Sequence, residues 1–171
     1  MKIGNVNIDG YAALAPMAGV ADKAFRELCM NFSACYCVSE MVSSKGISYK
    51  SEKSAQLMEI GESEHPCAVQ IFGNEPSTMA DAARFALQYK PEIIDINMGC
   101  PAPMQTKLMR GSGILPHPMR LQALLGEMER RPEVRFSAKM RLGLESKEEW
   151  MELAGMLNSS CLQHLTIHPR I

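Results

Sequence analysis

Residues 93–101 read IIDINMGCP, an apolar run broken at every second place by a polar side chain and closed by Gly99, Cys100 and Pro101. A β-strand sends successive side chains to opposite faces, so Ile94, Ile96 and Met98 face one way while Asp95 and Asn97 face the other. The same alternation recurs in three more stretches. In FSAKMR at 136–141, Phe136, Ala138 and Met140 oppose Ser137, Lys139 and Arg141. In HLTIH at 164–168, Leu165 and Ile167 oppose Thr166 and His168; in CAVQIF at 67–72, Val69 and Ile71 oppose Gln70. A sheet covered by helices on both faces reads as nearly continuous apolar runs, and these strands do not. They fit a barrel with helices outside and polar side chains gathered inside. Gln70, Asn97, Lys139 and His168 all fall in the second half of their strands, toward the end where barrels of this kind carry their active sites.

Working outward, strands are predicted over 12–15, 36–41, 67–72, 93–97, 136–140 and 164–168. Helices are predicted between them over 23–31, 77–89, 118–130 and 147–157. Pro76 and Pro118 mark helix starts, because proline suits a first helical turn. Strands alternating with helices imply βαβ units and a parallel sheet. The fold class expected is α/β of the (β/α)8 TIM-barrel type, with about six of its eight strands in this stretch. Residues 1–171 form one domain in this reading.

At 171 residues, 46% hydrophobic and 22% charged, the chain has the composition of an ordinary globular protein with a sizeable core. A formal net charge of −1 and a pI near 6.4 supply no general field for nucleic acid, so any RNA must be met locally. No apolar run approaches the length that spans a bilayer, and the start MKIGNVNIDGYA lacks a signal peptide's apolar region. No membrane association is expected and the location expected is cytoplasmic. The six cysteines form no CxxC pair and no Cys/His metal spacing, so reduced thiols and no metal are expected.

Several residues carry chemistry on position alone. Cys29, Cys35, Cys37, Cys67 and Cys161 read as small buried apolar side chains. Cys100 differs, because Gly99 and Pro101 place it in irregular backbone just past a strand end. A thiol there can point into the cavity and donate a proton to a substrate carbon. Lys139 lies mid-strand and reads either as a cap on a barrel layer that reaches solvent or as an inward cation, which is costly without an anionic partner such as a cofactor. His168 reads equally as a core histidine and as a site residue. Gly111-Ser112-Gly113 is either a plain turn or a phosphate cradle. The segment LAPMAGV at 14–20 is apolar for a loop; it suits strand packing or a wall for a flat ring.

Taken in order, LAPMAGVADKAFRELC, SEMVSSKGI, AVQIFGNEP, IIDINMGCPAP, GSGIL, AKMRLG and LTIHPR closely resemble the tRNA-dihydrouridine synthase family. The resemblance implies an FMN-dependent, NADPH-linked oxidoreductase that reduces uridine in tRNA to 5,6-dihydrouridine. It implies a hydride from flavin N5 to uracil C6 and a proton to C5 from Cys100, as general acid. An ordinary thiol, with a pKa of about 8.5, is mostly protonated at neutral pH. The target base must also leave its stack. The resemblance further implies flavin contacts from Pro16, Met17 and Ala18, a hydrogen bond from Gln70 to the ring's polar edge, and Lys139 near its N1/O2 edge. It places His168 near the cofactor or uracil, Asn97 near the uracil, and Arg170 in the substrate-binding IHPR block. In one respect the chain departs from the pattern: Met104 stands where many members carry lysine, with Lys107 nearby. The family's later strands, phosphate-binding loops and tRNA-binding helical domain lie beyond the matched blocks. The expectation is therefore the N-terminal portion of an FMN-binding barrel, able to self-associate through unpaired barrel edges. Two alternatives stand beside it: a catalytically incompetent remnant or assembly partner of the family, and another FMN-dependent pyrimidine oxidoreductase acting on a free small molecule.

Overall fold

The computed structural model describes residues 1–130 and 133–171. An antiparallel hairpin, β1 (Lys2–Ile3) and β2 (Val6–Asn7), precedes β3 (Ala13–Leu14). Helix α1 (Lys23–Asn31) leads to β4 (Tyr36–Val38), the short β5 (Val42–Ser43), and helices α2 (Ser44–Ser48) and α3 (Glu52–Gln56). There follow β6 (Cys67–Phe72), α4 (Pro76–Ala86), β7 (Ile93–Met98), α5 (Pro103–Lys107), α6 (Pro118–Glu129), β8 (Phe136–Arg141), α7 (Glu149–Asn158) and β9 (Leu162–His168). Strands β3, β4, β6, β7, β8 and β9 are neighbours in that order and all parallel. This is the incomplete barrel expected, with six parallel strands in chain order and β3 and β9 at the two edges of the described sheet. Pro76 and Pro118 do open α4 and α6, and Asp22 caps α1 by accepting the Phe25 N–H at 2.8 Å. No described helix is long and apolar enough to cross a membrane.

The strand alternation produces two separate cores. Outside the sheet, Val69, Ile71, Ile94, Ile96, Met98, Phe136, Ala138 and Met140 pack with Met79, Ala82 and Ala83 of α4 and with Leu121, Leu124 and Leu125 of α6. Inside, at the N-terminal end of the strands, Tyr36, Val38, Ala68 and Ile93 meet Ile3 and Ile8 from the hairpin segment. Full burial of such side chains contributes roughly 1.5–3 kcal/mol each, so the hairpin is a plug and not a tail. Its turn needs Gly4, which has φ +57° and lies against the Gln163 side chain, where a Cβ would sit 2.1 Å from Oε1.

The structure corrects the strand expected over 36–41. β4 stops at Val38, which pairs with Ala68, and pairing resumes with Val42 opposite Ile71. One extra residue is therefore held on this side, as in a bulge. Ser39 bridges the gap: its N–H donates to Ala68 O at 2.9 Å and its hydroxyl accepts the Gln70 N–H at 3.0 Å. The break turns Glu40 toward the loop after β3, where its carboxylate accepts the Gly19 N–H. The first strand also shrinks to Ala13–Leu14, and the last begins earlier, at Leu162, with an irregularity opposite Phe136 and Ser137.

Beneath this sheet lies a buried ion pair that composition did not reveal. Arg26 of α1 contacts Glu64 through Nε, and its terminal nitrogens donate to Ala21 O at 2.9 Å and Glu59 O at 2.6 Å. Burial opposes the guanidinium's charge, yet Glu64 leaves its pKa above the ordinary value. Cys37 and Cys67 lie beside the pair, paired across β4 and β6, and Cys37 and burial push the Cys67 thiol up. These two sulfurs and a Glu64 oxygen all lie within 4.8 Å of one another. That carboxylate already accepts from Arg26 and from the Gly61 N–H at 2.6 Å, and the guanidinium charge opposes any cation.

The loop after β8 is organised by Glu149, the first residue of α7. Its carboxylate accepts the N–H groups of Leu144, Glu145 and Ser146 at 2.8, 2.8 and 2.7 Å. Those bonds hold its pKa below the ordinary 4.5. A depressed carboxylate pKa stabilises the fold above the unfolded-state value and loses that contribution as pH falls through the folded value. Glu149→Gln is accordingly expected to cost about 1 kcal/mol, the scale of a lost side-chain cap, at neutral pH. Urea melts should show the parent's advantage shrinking below about pH 4.5; an advantage independent of pH contradicts this assignment.

Candidate active site

The parallel register stacks the inward polar residues in layers. Gln70 lies opposite Asp95, Asp95 opposite Ser137, and Ser137 opposite His164. One layer nearer the C-terminal ends, Asn97 faces Lys139 and Lys139 faces Thr166; beyond these, Arg141 pairs with His168. Asp95 accepts from Gln70 Nε2 at 2.7 Å and from the Ser137 hydroxyl. Burial is the largest influence and leaves the Asp95 pKa above the ordinary carboxylate value, although those two donors and the charges of Lys139 and His164 work to lower it. Lys139 is half-buried, and burial lowers its pKa, with Asp95 opposing and Arg141 adding to the effect. Its ammonium forms no hydrogen bond with the described residues. Burial and the cations Lys139, Arg141 and Arg170 lower the His168 pKa, which favours neutral imidazole.

A cavity of about 190 Å³ opens on the inner face, lined by Ala13, Pro16, Tyr36, Asp95, Lys139 and Thr166 among others. Pro16 is half-buried at its edge, whereas Met17 and Ala18 are exposed beyond it. Gln70 lies below the surface: it is 1% exposed, and both ends of its amide are engaged. Arg170 is exposed, with its carbonyl accepting the Leu142 N–H at 3.1 Å. Met104 is likewise exposed.

Cys100 sits two residues past the end of β7, half-exposed, in a loop pinned from both sides. The Asn97 Oδ1 accepts the N–H groups of Gly99 and Cys100 at 3.1 and 3.0 Å. Ser112 donates both its N–H and its hydroxyl to the Cys100 carbonyl, each at 3.0 Å. Arg141 Nε donates to the Gly99 carbonyl at 2.8 Å. Gly111 makes the close approach feasible, since it has φ +56° and a Cβ there would lie 2.6 Å from Cys100 O. The segment read as a plain turn or a phosphate cradle is thus a brace for the Cys100 peptide. The thiol itself forms no hydrogen bond with the described residues.

The model of one family, described as dihydrouridine synthase, matches residues 13–171. The chain belongs to the dihydrouridine synthase family. It is 38% identical over 99% of its length to tRNA-dihydrouridine synthase B of Vibrio parahaemolyticus, of which the match covers 53%. It is 39% identical to the protein of that name from Vibrio vulnificus and 37% identical to that from Escherichia coli, again over 99% of the chain and 53% of the relative. The chain thus spans about half the length of the curated relatives it matches. Within this dihydrouridine synthase chain, three participants had no assigned role in the sequence reading: Asp95, Ser137 and Arg141. All three lie on the inward face by alternation, and that was their only signal. Asp95 and Ser137 find their partners on neighbouring strands, and Arg141 finds a partner in the loop after β7.

Proposed function

We propose that this dihydrouridine synthase acts on tRNA, reducing uridine to 5,6-dihydrouridine with FMN as cofactor and NADPH as reductant, in the cytoplasm. The observation that carries the reading is the pinned Cys100 peptide with its free thiol, on the same strand ends as the desolvated, unbonded Lys139. The residues present fit the cofactor. Lys139 is a cation in a cavity without a hydrogen-bonded partner, and Pro16 offers an apolar edge beside it. In this reading Pro16, Met17 and Ala18 hold the ring side, and Lys139 and His168 meet its polar edge; Gln70 supports that edge from below. Bound FMN would supply the hydride that reaches uracil C6. Cys100 supplies the proton to C5, and its braced backbone holds the thiol at one place while the base enters. Lys139 favours an anionic group in the cavity, and neutral His168 can donate to or accept from the base or cofactor. Asn97 holds the Cys100 loop and stands near the entering uracil, and exposed Arg170 is available to tRNA phosphate.

The direct test uses the chain extended to the length of its relatives, supplied with FMN, NADPH and unmodified tRNA. Dihydrouridine formation in tRNA, with no turnover of free uracil, is expected; turnover of free uracil alone would instead favour a small-molecule pyrimidine oxidoreductase. In the same protein Lys139→Ala should weaken FMN retention or slow reduction by NADPH by about tenfold or more, the order of a lost charge-assisted contact. Flavin content and reduction rate both equal to the parent's would remove Lys139 from the site. Lys139→Arg is no control, because guanidinium differs in shape and hydration.

A further inference from the structure

Four buried or half-buried groups form one continuous chain of hydrogen bonds from the barrel interior to the Cys100 loop. Ser137 donates its hydroxyl to Asp95 Oδ1, and Gln70 Nε2 donates to Asp95 Oδ2 at 2.7 Å. Asn97 Nδ2 donates to Gln70 Oε1 at 2.8 Å. The Asn97 Oδ1 then accepts from Gly99 N at 3.1 Å and Cys100 N at 3.0 Å. An amide side chain has one donating and one accepting end, and nothing in its shape says which way it turns. Asp95 removes that freedom, because both of its oxygens accept, one from Gln70 and one from the Ser137 hydroxyl. With Asp95 fixed as acceptor, Gln70 must present its NH2 inward and its oxygen outward. Asn97 must then present its NH2 to Gln70 and its oxygen to the loop. Turning either amide over would set two donors or two acceptors face to face. With Gln70 1% and Asp95 4% exposed, water is poorly placed to repair such a mismatch.

We infer that Asp95 is a positioning residue that, through Gln70 and Asn97, sets the direction of the hydrogen bonds holding the Gly99 and Cys100 amides, and so fixes where the Cys100 thiol stands. The inference rests on the proposed reading of Cys100 as the proton donor. Asp95 lies three links from the loop it orders and acts only through them. Lys139, opposite Asn97 in the register, supplies the charge that keeps the carboxylate company.

Two substitutions separate direction from mere packing. Asp95→Asn keeps the shape but can offer a donor or an acceptor to Gln70. Solvent exchange of the Gly99 and Cys100 amides, followed by NMR on the 171-residue chain, should then rise by about tenfold, the order expected for a weakened buried hydrogen bond. Adding Gln70→Glu moves the acceptor-only group one link outward, so Asn97 must again donate inward. The double variant should restore slow exchange. Parent-like exchange in Asp95→Asn, or no recovery in the double variant, overturns the inference. Should Asp95→Asn not fold, the unmodified protein decides the matter. Scalar couplings across the hydrogen bonds should link Gln70 Nε2 to the Asp95 carboxyl carbon and the Cys100 amide nitrogen to the Asn97 side-chain carbonyl carbon. Their absence from a spectrum showing the β6–β7 backbone couplings overturns it equally. None of these readouts needs turnover, so failure of the Cys100 assignment, read in a tRNA assay, stays distinguishable.

Discussion

Replacing Cys100 by alanine should lower the single-turnover rate of uridine reduction by about 10²–10⁴-fold, the usual contribution of a positioned general acid, while FMN stays bound. The structure makes this a clean substitution. The backbone at Cys100 is held through its N–H by Asn97 and through its carbonyl by Ser112. Its neighbour Gly99 is held by Arg141. None of these contacts uses the sulfur, so alanine removes the proton and leaves the loop in place. A loss of that size without change in flavin content would assign the proton to the thiol. The measurement uses the chain extended to its relatives' length, pre-reduced and mixed with unmodified tRNA. A rate within about twofold of the parent's would rule Cys100 out as the acid, since even modest general acids contribute more. Cys100→Ser tests the same point differently, because a hydroxyl keeps the shape but is a far weaker acid.

The largest effect on stability is expected at Glu64. Arg26 and Glu64 are 2% and 0% exposed, so the pair has left water almost entirely. Glu64→Gln leaves the Arg26 charge buried and uncompensated, which typically costs about 3–5 kcal/mol. For a domain of this size each kcal/mol shifts Tm by roughly 2–4 °C, so a drop on the order of 6–20 °C should appear in a thermal melt. The double substitution Arg26→Met with Glu64→Leu removes both charges, and apolar replacement of a buried pair is often neutral. It should recover most of the loss. A single variant that melts with the parent would show that the pair is not isolated from solvent as the structure has it. The same carboxylate accepts the Gly61 N–H at 2.6 Å, a bond that a glutamine oxygen can keep and leucine cannot, so the double variant should remain somewhat less stable than the parent.

Much of the architecture was legible in the chain because a strand's side-chain period is two and a helix's is 3.6. The alternation in 93–98 and 136–141 separated Ile94, Ile96, Phe136 and Ala138, which pack against α4 and α6, from Asp95, Asn97, Ser137 and Lys139, which face inward. The strand-end position of Cys100 between Gly99 and Pro101 was equally readable, because glycine and proline punctuate the backbone locally. Family membership was legible too, through the ordered blocks from LAPMAGV to LTIHPR, and the match over 13–171 bears it out.

What sequence could not supply was which polar residue meets which. Gln70 and Asp95 are 25 positions apart, Ser137 and Asp95 42, and Arg26 and Glu64 38. The first two pairings depend on strand register, and register here includes a bulge at Ser39 that no local period announces; the third depends on how α1 packs against the segment before β6. The hairpin plug escaped for a related reason: its two-residue strands are too short to show alternation, and only the barrel's open interior gives Ile3 and Ile8 somewhere to go. The sequence by itself determined the faces of the strands, and the placing of Lys139 in the second half of its strand and of Cys100 just past a strand end, since all of these follow from interactions between near neighbours along the chain. The tertiary structure alone decided the hydrogen-bond chain from Asp95 to Cys100 and the burial of Arg26 with Glu64. Those depend on the distances between strands and helices, which packing sets and local periodicity does not record.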